Sequence, residues 1–193
     1  MKKTAKTTAT IALMFSMFIG LANEPKISTD TTNRSLDFEM AAPSAQTMVR
    51  LIDDKEQVIY SANVDTQSDF AKRFDLSKLP NGNYYLVVED AIKELTFTLS
   101  LDASKVEVID RDEDTKPVFR KKDGKLYVNL LNLDLNKVDI IVYDGDGRKL
   151  FSERSTGKQI VQKAFNFENA YSDSYMVVVR DNEKTYYEDI VVK

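Results

Sequence analysis

Residues 51–90 align on residues 142–181 without a gap, at a constant offset of 91. A chain with such an echo has to build one unit twice, so the choice of fold narrows to units small enough to fit in half of it. Eight positions are identical: Asp53/Asp144, Ser61/Ser152, Lys72/Lys163, Phe74/Phe165, Tyr84/Tyr175, Val87/Val178, Val88/Val179 and Asp90/Asp181. The substitutions Ile59/Leu150, Tyr60/Phe151, Leu76/Phe167 and Leu86/Val177 keep the apolar pattern. That pattern has period two. In Phe74–Asp90, Phe74 and Leu76 alternate with polar residues, Pro80-Asn81-Gly82 supplies turn chemistry, and Tyr84, Leu86 and Val88 alternate again. This is strand, turn, strand.

The same reading extends over both halves. Leu36, Phe38 and Met40 form a half-buried strand. Met48–Asp53 and Val58–Ser61 pair across a polar turn, and Phe70–Leu76, Asn83–Glu89 and Leu95–Leu101 follow. In the second half the strands fall at Val118–Arg120, Lys125–Leu130, Val138–Tyr143, Leu150–Ser152, Ile160–Phe167, Tyr175–Val179 and Tyr186–Val192. No segment carries a helical period. The expected fold class is all-β: two tandem immunoglobulin-like antiparallel β-sandwich modules after an N-terminal signal peptide. The expected boundaries are 1–22 for the signal peptide, 23–33 for a flexible lead with room for an edge strand near Ile27, and 34–109 for the first module. An acidic linker then occupies 110–116 and the second module 117–193. The Leu79-Pro80…Gly82…Tyr84 spacing fits a tyrosine corner, or simply a core aromatic at the start of a strand. In the second copy Tyr171 and Asp173 replace Pro80 and Gly82, so a differently built corner is expected there.

Residues 1–22 carry the compartment signal. Lys2, Lys3 and Lys6 precede the apolar run Ile11–Leu21, and Gly20 and Ala22 suit a cleavage site after Ala22. The run is short for a membrane span, so no transmembrane segment is expected in the mature chain. Cleavage leaves 24 basic against 31 acidic residues, a net charge of −7. That balance speaks against a nucleic-acid partner. The chain has neither Cys nor His. Disulfides, thiolate metal sites, Cys nucleophiles and every Ser-His-Asp arrangement are thereby excluded.

The residues Phe74-Asp75-Leu76-Ser77, Leu79-Pro80, Gly82, Tyr84, Leu86 and Val88 resemble the C-terminal sorting domains of the type IX (Por) secretion system and related small immunoglobulin-like secreted domains. The resemblance implies a β-sandwich fold and an envelope compartment. Tyr171 and Asp173 depart from it in the C-terminal copy, and no cargo enzyme precedes that copy, so sorting itself is not carried over.

The expected function is that of a non-enzymatic exported protein acting in binding, adhesion or envelope assembly. Its location would be periplasmic, cell-surface or secreted, its partner a protein or glycan of the envelope or extracellular space, and no cofactor is expected. A carbohydrate-binding module and a sorting-type domain protein are the alternatives. Tyr85, Tyr186 and Tyr187 are candidate ligand contacts, since sugars stack on exposed aromatic faces; ordinary cross-strand packing is the plainer reading. Asp110, Asp112 and Asp114 in the linker, and Asp144 and Asp146 in a Gly-rich turn, are candidate calcium ligands. A solvated linker and a hairpin turn explain them with less, because calcium wants about six to eight oxygens. An enzyme without His or Cys would need paired carboxylates, and no pair stands out.

Overall fold

The computed structural model describes residues 24–30, 33–43, 45–182 and 184–193; the expected signal peptide lies outside the described residues. Fifteen strands and no helix make up the described chain. In the first half these are β1 (Lys26–Asp30), β2 (Ser35–Met40), β3 (Thr47–Asp53), β4 (Val58–Val64), β5 (Phe70–Asp75), β6 (Gly82–Glu89), β7 (Lys93–Leu101) and β8 (Val106–Thr115). The second half holds β9 (Val118–Lys122), β10 (Lys125–Leu131), β11 (Val138–Tyr143), β12 (Lys149–Ser155), β13 (Ile160–Asn166), β14 (Asp173–Asp181) and β15 (Lys184–Val192).

Strand order repeats with the sequence. The first module pairs a sheet β1-β2-β5 with a sheet β4-β3-β6-β7-β8; the second pairs β13-β10-β9 with β12-β11-β14-β15. Every neighbouring pair is antiparallel. Each half is thus an immunoglobulin-like sandwich with its consecutive strands shared between two sheets. Alternating residues of the two sheets meet in between. Leu36, Phe38 and Phe74 face Val49, Leu51, Leu86 and Leu95 in one core; Leu126, Val128 and Leu130 face Val138, Ile140, Val177 and Val179 in the other. These are two separate buried clusters.

The offset of 91 holds in three dimensions. A β-bulge falls between Leu51 and Ile52, and again between Val142 and Tyr143. Tyr60 meets Phe74 edge-on at 5.1 Å, and Phe151 meets Phe165 edge-on at 5.2 Å. Lys72 lies 5.1 Å from the Tyr60 ring centre, and Lys163 lies 4.8 Å from that of Phe151. Glu56 and Gly147 both take positive φ, 63° and 77°, to close the β3–β4 and β11–β12 turns. These turns demand a left-handed residue at one place, and glycine supplies it without strain only in the second copy.

Two corners of the structure depart from the sequence reading. Tyr84 Oη donates to Pro80 O at 2.9 Å, a tyrosine corner, and Tyr175 Oη donates to Tyr171 O at 3.0 Å. The second corner is therefore built like the first. The acceptor is a backbone carbonyl, so replacing Pro80 and Gly82 by Tyr171 and Asp173 leaves it in place.

The stretch expected as an acidic linker is the other departure. Asp110–Thr115 is the second half of β8 and pairs with Lys93–Thr98 of β7. A strand with charges on both faces shows no apolar alternation, and its pairing is supplied by the neighbour. The expected lead contains β1, the edge strand allowed for near Ile27, which pairs with β2 through Ile27↔Phe38.

Candidate binding surface

The acidic candidates are spread out or already engaged. Asp110, Asp112 and Asp114 sit at alternate positions of β8, opposite Thr98, Thr96 and Glu94. Alternate residues of a strand stand about 7 Å apart, too far for the three to converge on one ion. Asp114 instead pairs with Lys184 at 2.6 Å. Asp144 caps its own turn: Oδ1 accepts from the backbone N–H of Asp146 and Arg148, and Oδ2 accepts from Arg148 Nε at 2.7 Å. Burial works to raise the Asp144 pKa, but these donors outweigh it and hold the carboxyl below its ordinary range. Asp53 caps the equivalent turn, accepting from the N–H groups of Lys55 and Gln57. Asp146 is drawn to Arg148 at 3.3 Å. Among the described residues, no three acidic side chains are grouped to hold a metal ion.

The tyrosine candidates separate by strand parity. Tyr186 packs against the second core, and burial raises its hydroxyl pKa. It is a core-facing residue. Tyr187, its neighbour, points to the opposite face and is 60% exposed. Tyr85 is half-buried on β6, between Ile52 and Thr98 in the neighbouring strands. Tyr85 and Tyr187 thus belong to sheets of different modules and form no common site.

What surrounds Tyr187 was not legible from composition. Ile141, Val178 and Tyr187 stand in register across β11, β14 and β15. Ile141 and Val178 are buried, yet neither belongs to the second core. They form an apolar strip on the outer face of the four-stranded sheet, beside the Tyr143–Met176–Asp189 row. Val191, on the same face of β15, is 66% exposed. The signal was the unbroken Tyr175–Val179 run: a strand buried on both faces reads as continuous rather than alternating.

The two modules meet through charges that sequence patterning could not pair. Lys184 at the start of β15 reaches Glu94 at 3.0 Å and Asp114 at 2.6 Å. Both contacts raise its pKa against the opposing effect of burial. Lys116 bonds Glu89 at 2.6 Å and Asp90 O at 2.9 Å, and Arg50 reaches Glu89 at 2.7 Å. Thr115 Oγ1 donates to Leu131 O across the joint. A cleft of about 510 Å³ beside it is walled by Ile92, Val118, Leu130, Leu131 and Ile160, and its one carboxylate, Glu113, lies 3.5 Å from Lys93. That wall offers no second acid for a carboxylate pair. Among the described residues, no helix is long and apolar enough to cross a membrane.

No family model matches the chain. No curated protein matches it either. Similar solved structures include the BSP domain of a biofilm associated protein, at 14% identity and a TM-score of 0.29, over 87% of this chain and 29% of that one. A two-domain fibronectin type III segment of chicken tenascin matches at 8% identity and a TM-score of 0.30, over 88% of this chain and 98% of that one. The human OSCAR ligand-binding domain matches at 11% identity and a TM-score of 0.26, over 87% and 97%. The chain spans less than a third of the length of the biofilm protein. Likenesses this distant carry no argument about activity or partner.

Proposed function

We propose that the chain is a non-enzymatic exported protein that binds a protein or glycan of the cell envelope through the outer face of its second module. The observation that carries this reading is Tyr187, 60% exposed on the outer face of a sheet whose core is already complete and in register with the buried Ile141 and Val178 of the neighbouring strands. An exposed aromatic beside such a strip offers contact area at low entropic cost. The engagement of Asp53, Asp144, Asp114 and Glu89 in turn caps and ion pairs supports a binding role over a catalytic one. Lys2, Lys3, Lys6 and the apolar run to Leu21, together with the resemblance to envelope sorting domains, support export. Tyr187 stacking on a sugar ring is the form this contact takes if the partner is a glycan.

The test is a Tyr187→Glu variant assayed on glycan arrays and against solubilised envelope proteins. A ligand bound by the wild type and lost at least tenfold in the variant is the expected result. An unchanged ligand profile would move the site off this face.

A further inference from the structure

Strand equivalence singles out one edge of the molecule. At the offset of 91, β7 (Lys93–Leu101) maps onto β15 (Lys184–Val192) residue for residue. The edge of β7 is taken by β8 over its whole length, from Lys93↔Thr115 to Leu101↔Val106. Among the described residues nothing pairs with the outer edge of β15, the last strand in the order β12-β11-β14-β15. The other edge strands match between copies: β1 with β9, β4 with β12 and β5 with β13 are edges in both modules. Among the described residues only this pair differs, covered by a strand in one copy and without a strand partner in the other.

The backbone groups on that edge can be named. Lys121 Nζ donates to Asp189 O at 2.7 Å from outside the sheet. Antiparallel ladders alternate, so Thr185, Tyr187, Asp189 and Val191 turn their N–H and C=O groups to the free edge while the residues between them bond to β14. Lys121 also pairs with Glu188 at 2.6 Å. In the β7–β8 register the residue opposite the Glu188 position is Arg111, opposite Phe97. Lys121 therefore supplies a cation close to where an added strand would bring one. Further along, a hollow of about 360 Å³ is lined by Phe167, Ile190 and Val192 and by the charged β9–β10 hairpin from Lys121 to Lys125. In the β7–β8 register Val106 and Val108 lie opposite the equivalents of Val192 and Ile190, and Val106 is fully buried.

We propose that the β15 edge binds an extended segment of a partner polypeptide by antiparallel strand addition. The segment begins with two apolar residues at alternate positions, which enter the hollow beside Ile190 and Val192. Basic residues follow at the two adjacent positions opposite Asp189 and Glu188, one on each face of the sheet. Main-chain hydrogen bonds along an open edge give such contacts their affinity, and alternate side chains give them specificity. Lys121 blunts the edge until the partner displaces it, which keeps an exposed strand from pairing indiscriminately. This rests on the reading above that the second module binds a partner, and it names how a protein partner docks.

The probe is the synthetic peptide of residues 106–115 carrying Asp110→Lys, which places lysine opposite Asp189; the unsubstituted peptide, with aspartate there, is the comparison. Amide hydrogen exchange on the full chain should slow at Thr185, Tyr187 and Val191 when the substituted peptide is added. The unsubstituted peptide should bind at least threefold more weakly. A Thr185→Pro variant, which removes an edge N–H without touching the β14 ladder, should fold and lose the peptide at least tenfold. No protection at these amides, or protection that survives Thr185→Pro in a folded variant, overturns strand addition. Protection that grows with protein concentration in the absence of peptide overturns it too, by giving the edge to a second copy of the chain. A natural partner retained by Thr185→Pro but lost by Tyr187→Glu would leave the face reading standing and sink this one.

Discussion

Replacing Tyr84 or Tyr175 by Phe removes one hydroxyl and keeps the ring. The rings are 5% and 7% exposed, and the bonds to Pro80 O and Tyr171 O are 2.9 and 3.0 Å. A hydrogen bond of this kind contributes about 1 kcal/mol net, and the abandoned carbonyl, close to the surface of the corner, adds part of its own desolvation cost. Each substitution should therefore cost about 1–2 kcal/mol. In modules of this size that corresponds to a fall in Tm of roughly 5–15 °C. Because the geometry is the same in both copies, the two costs should agree within about 0.5 kcal/mol. Global-opening amide exchange reads the modules separately, through the central strands β6 and β14. Tyr84→Phe should accelerate exchange in β6 and Tyr175→Phe in β14. A Tyr175→Phe protein whose β14 exchanges as in the wild type would refute the claim that a backbone acceptor makes the corner indifferent to Tyr171 and Asp173.

Lys184→Met should loosen the joint more than it destabilises either core. Its pairs with Glu94 and Asp114 are partly exposed, so solvent screening limits their worth to about 1 kcal/mol or less; residual dipolar couplings should show the modules reorienting while the melting curve barely moves. Glu89 titrates below its ordinary range, chiefly because Lys116 bonds it. Its contribution is present above the usual glutamate pKa and lost as pH falls through the depressed value, so the joint should open on acidification below the ordinary glutamate range and not on raising the pH. Asp181 runs the other way. Burial raises its pKa, and its Oδ1 has no hydrogen-bond partner. Its ionised form is a liability that disappears as pH falls through the raised value, so Asp181→Asn should raise the Tm at pH 7 and lose that advantage in acid. Asp144→Ala should lower the Tm by undoing the β11–β12 turn, with or without millimolar calcium; a calcium-dependent difference would restore the metal reading of Asp144 and Asp146.

The strands that were legible in the sequence are those with one wet and one dry face. Leu95, Phe97, Leu99 and Leu101 announce β7, and the pairs Leu51/Val142 and Phe74/Phe165 announce the duplication. β8 was not legible because Asp110-Arg111-Asp112-Glu113-Asp114 has the look of a solvated run. Its strand state comes from β7, and a bulge between Thr98 and Leu99 sets its register. The candidate surface was half legible. Tyr186 and Tyr187 are indistinguishable by composition, and only the register of β15 against β14 assigns one to the core and the other to solvent. Lys184 meets Asp114 across 70 residues of sequence, a contact that no local pattern encodes.

The proposed contact surface is the outer face of the second module, not its counterpart in the first. A photoreactive benzoylphenylalanine introduced at position 187, and in a separate chain at position 85, reads this directly in cells that produce the protein. A discrete adduct from position 187, absent from position 85 and mapped to one partner, is the predicted result. Silence at 187, or the same adduct from 85, would contradict it.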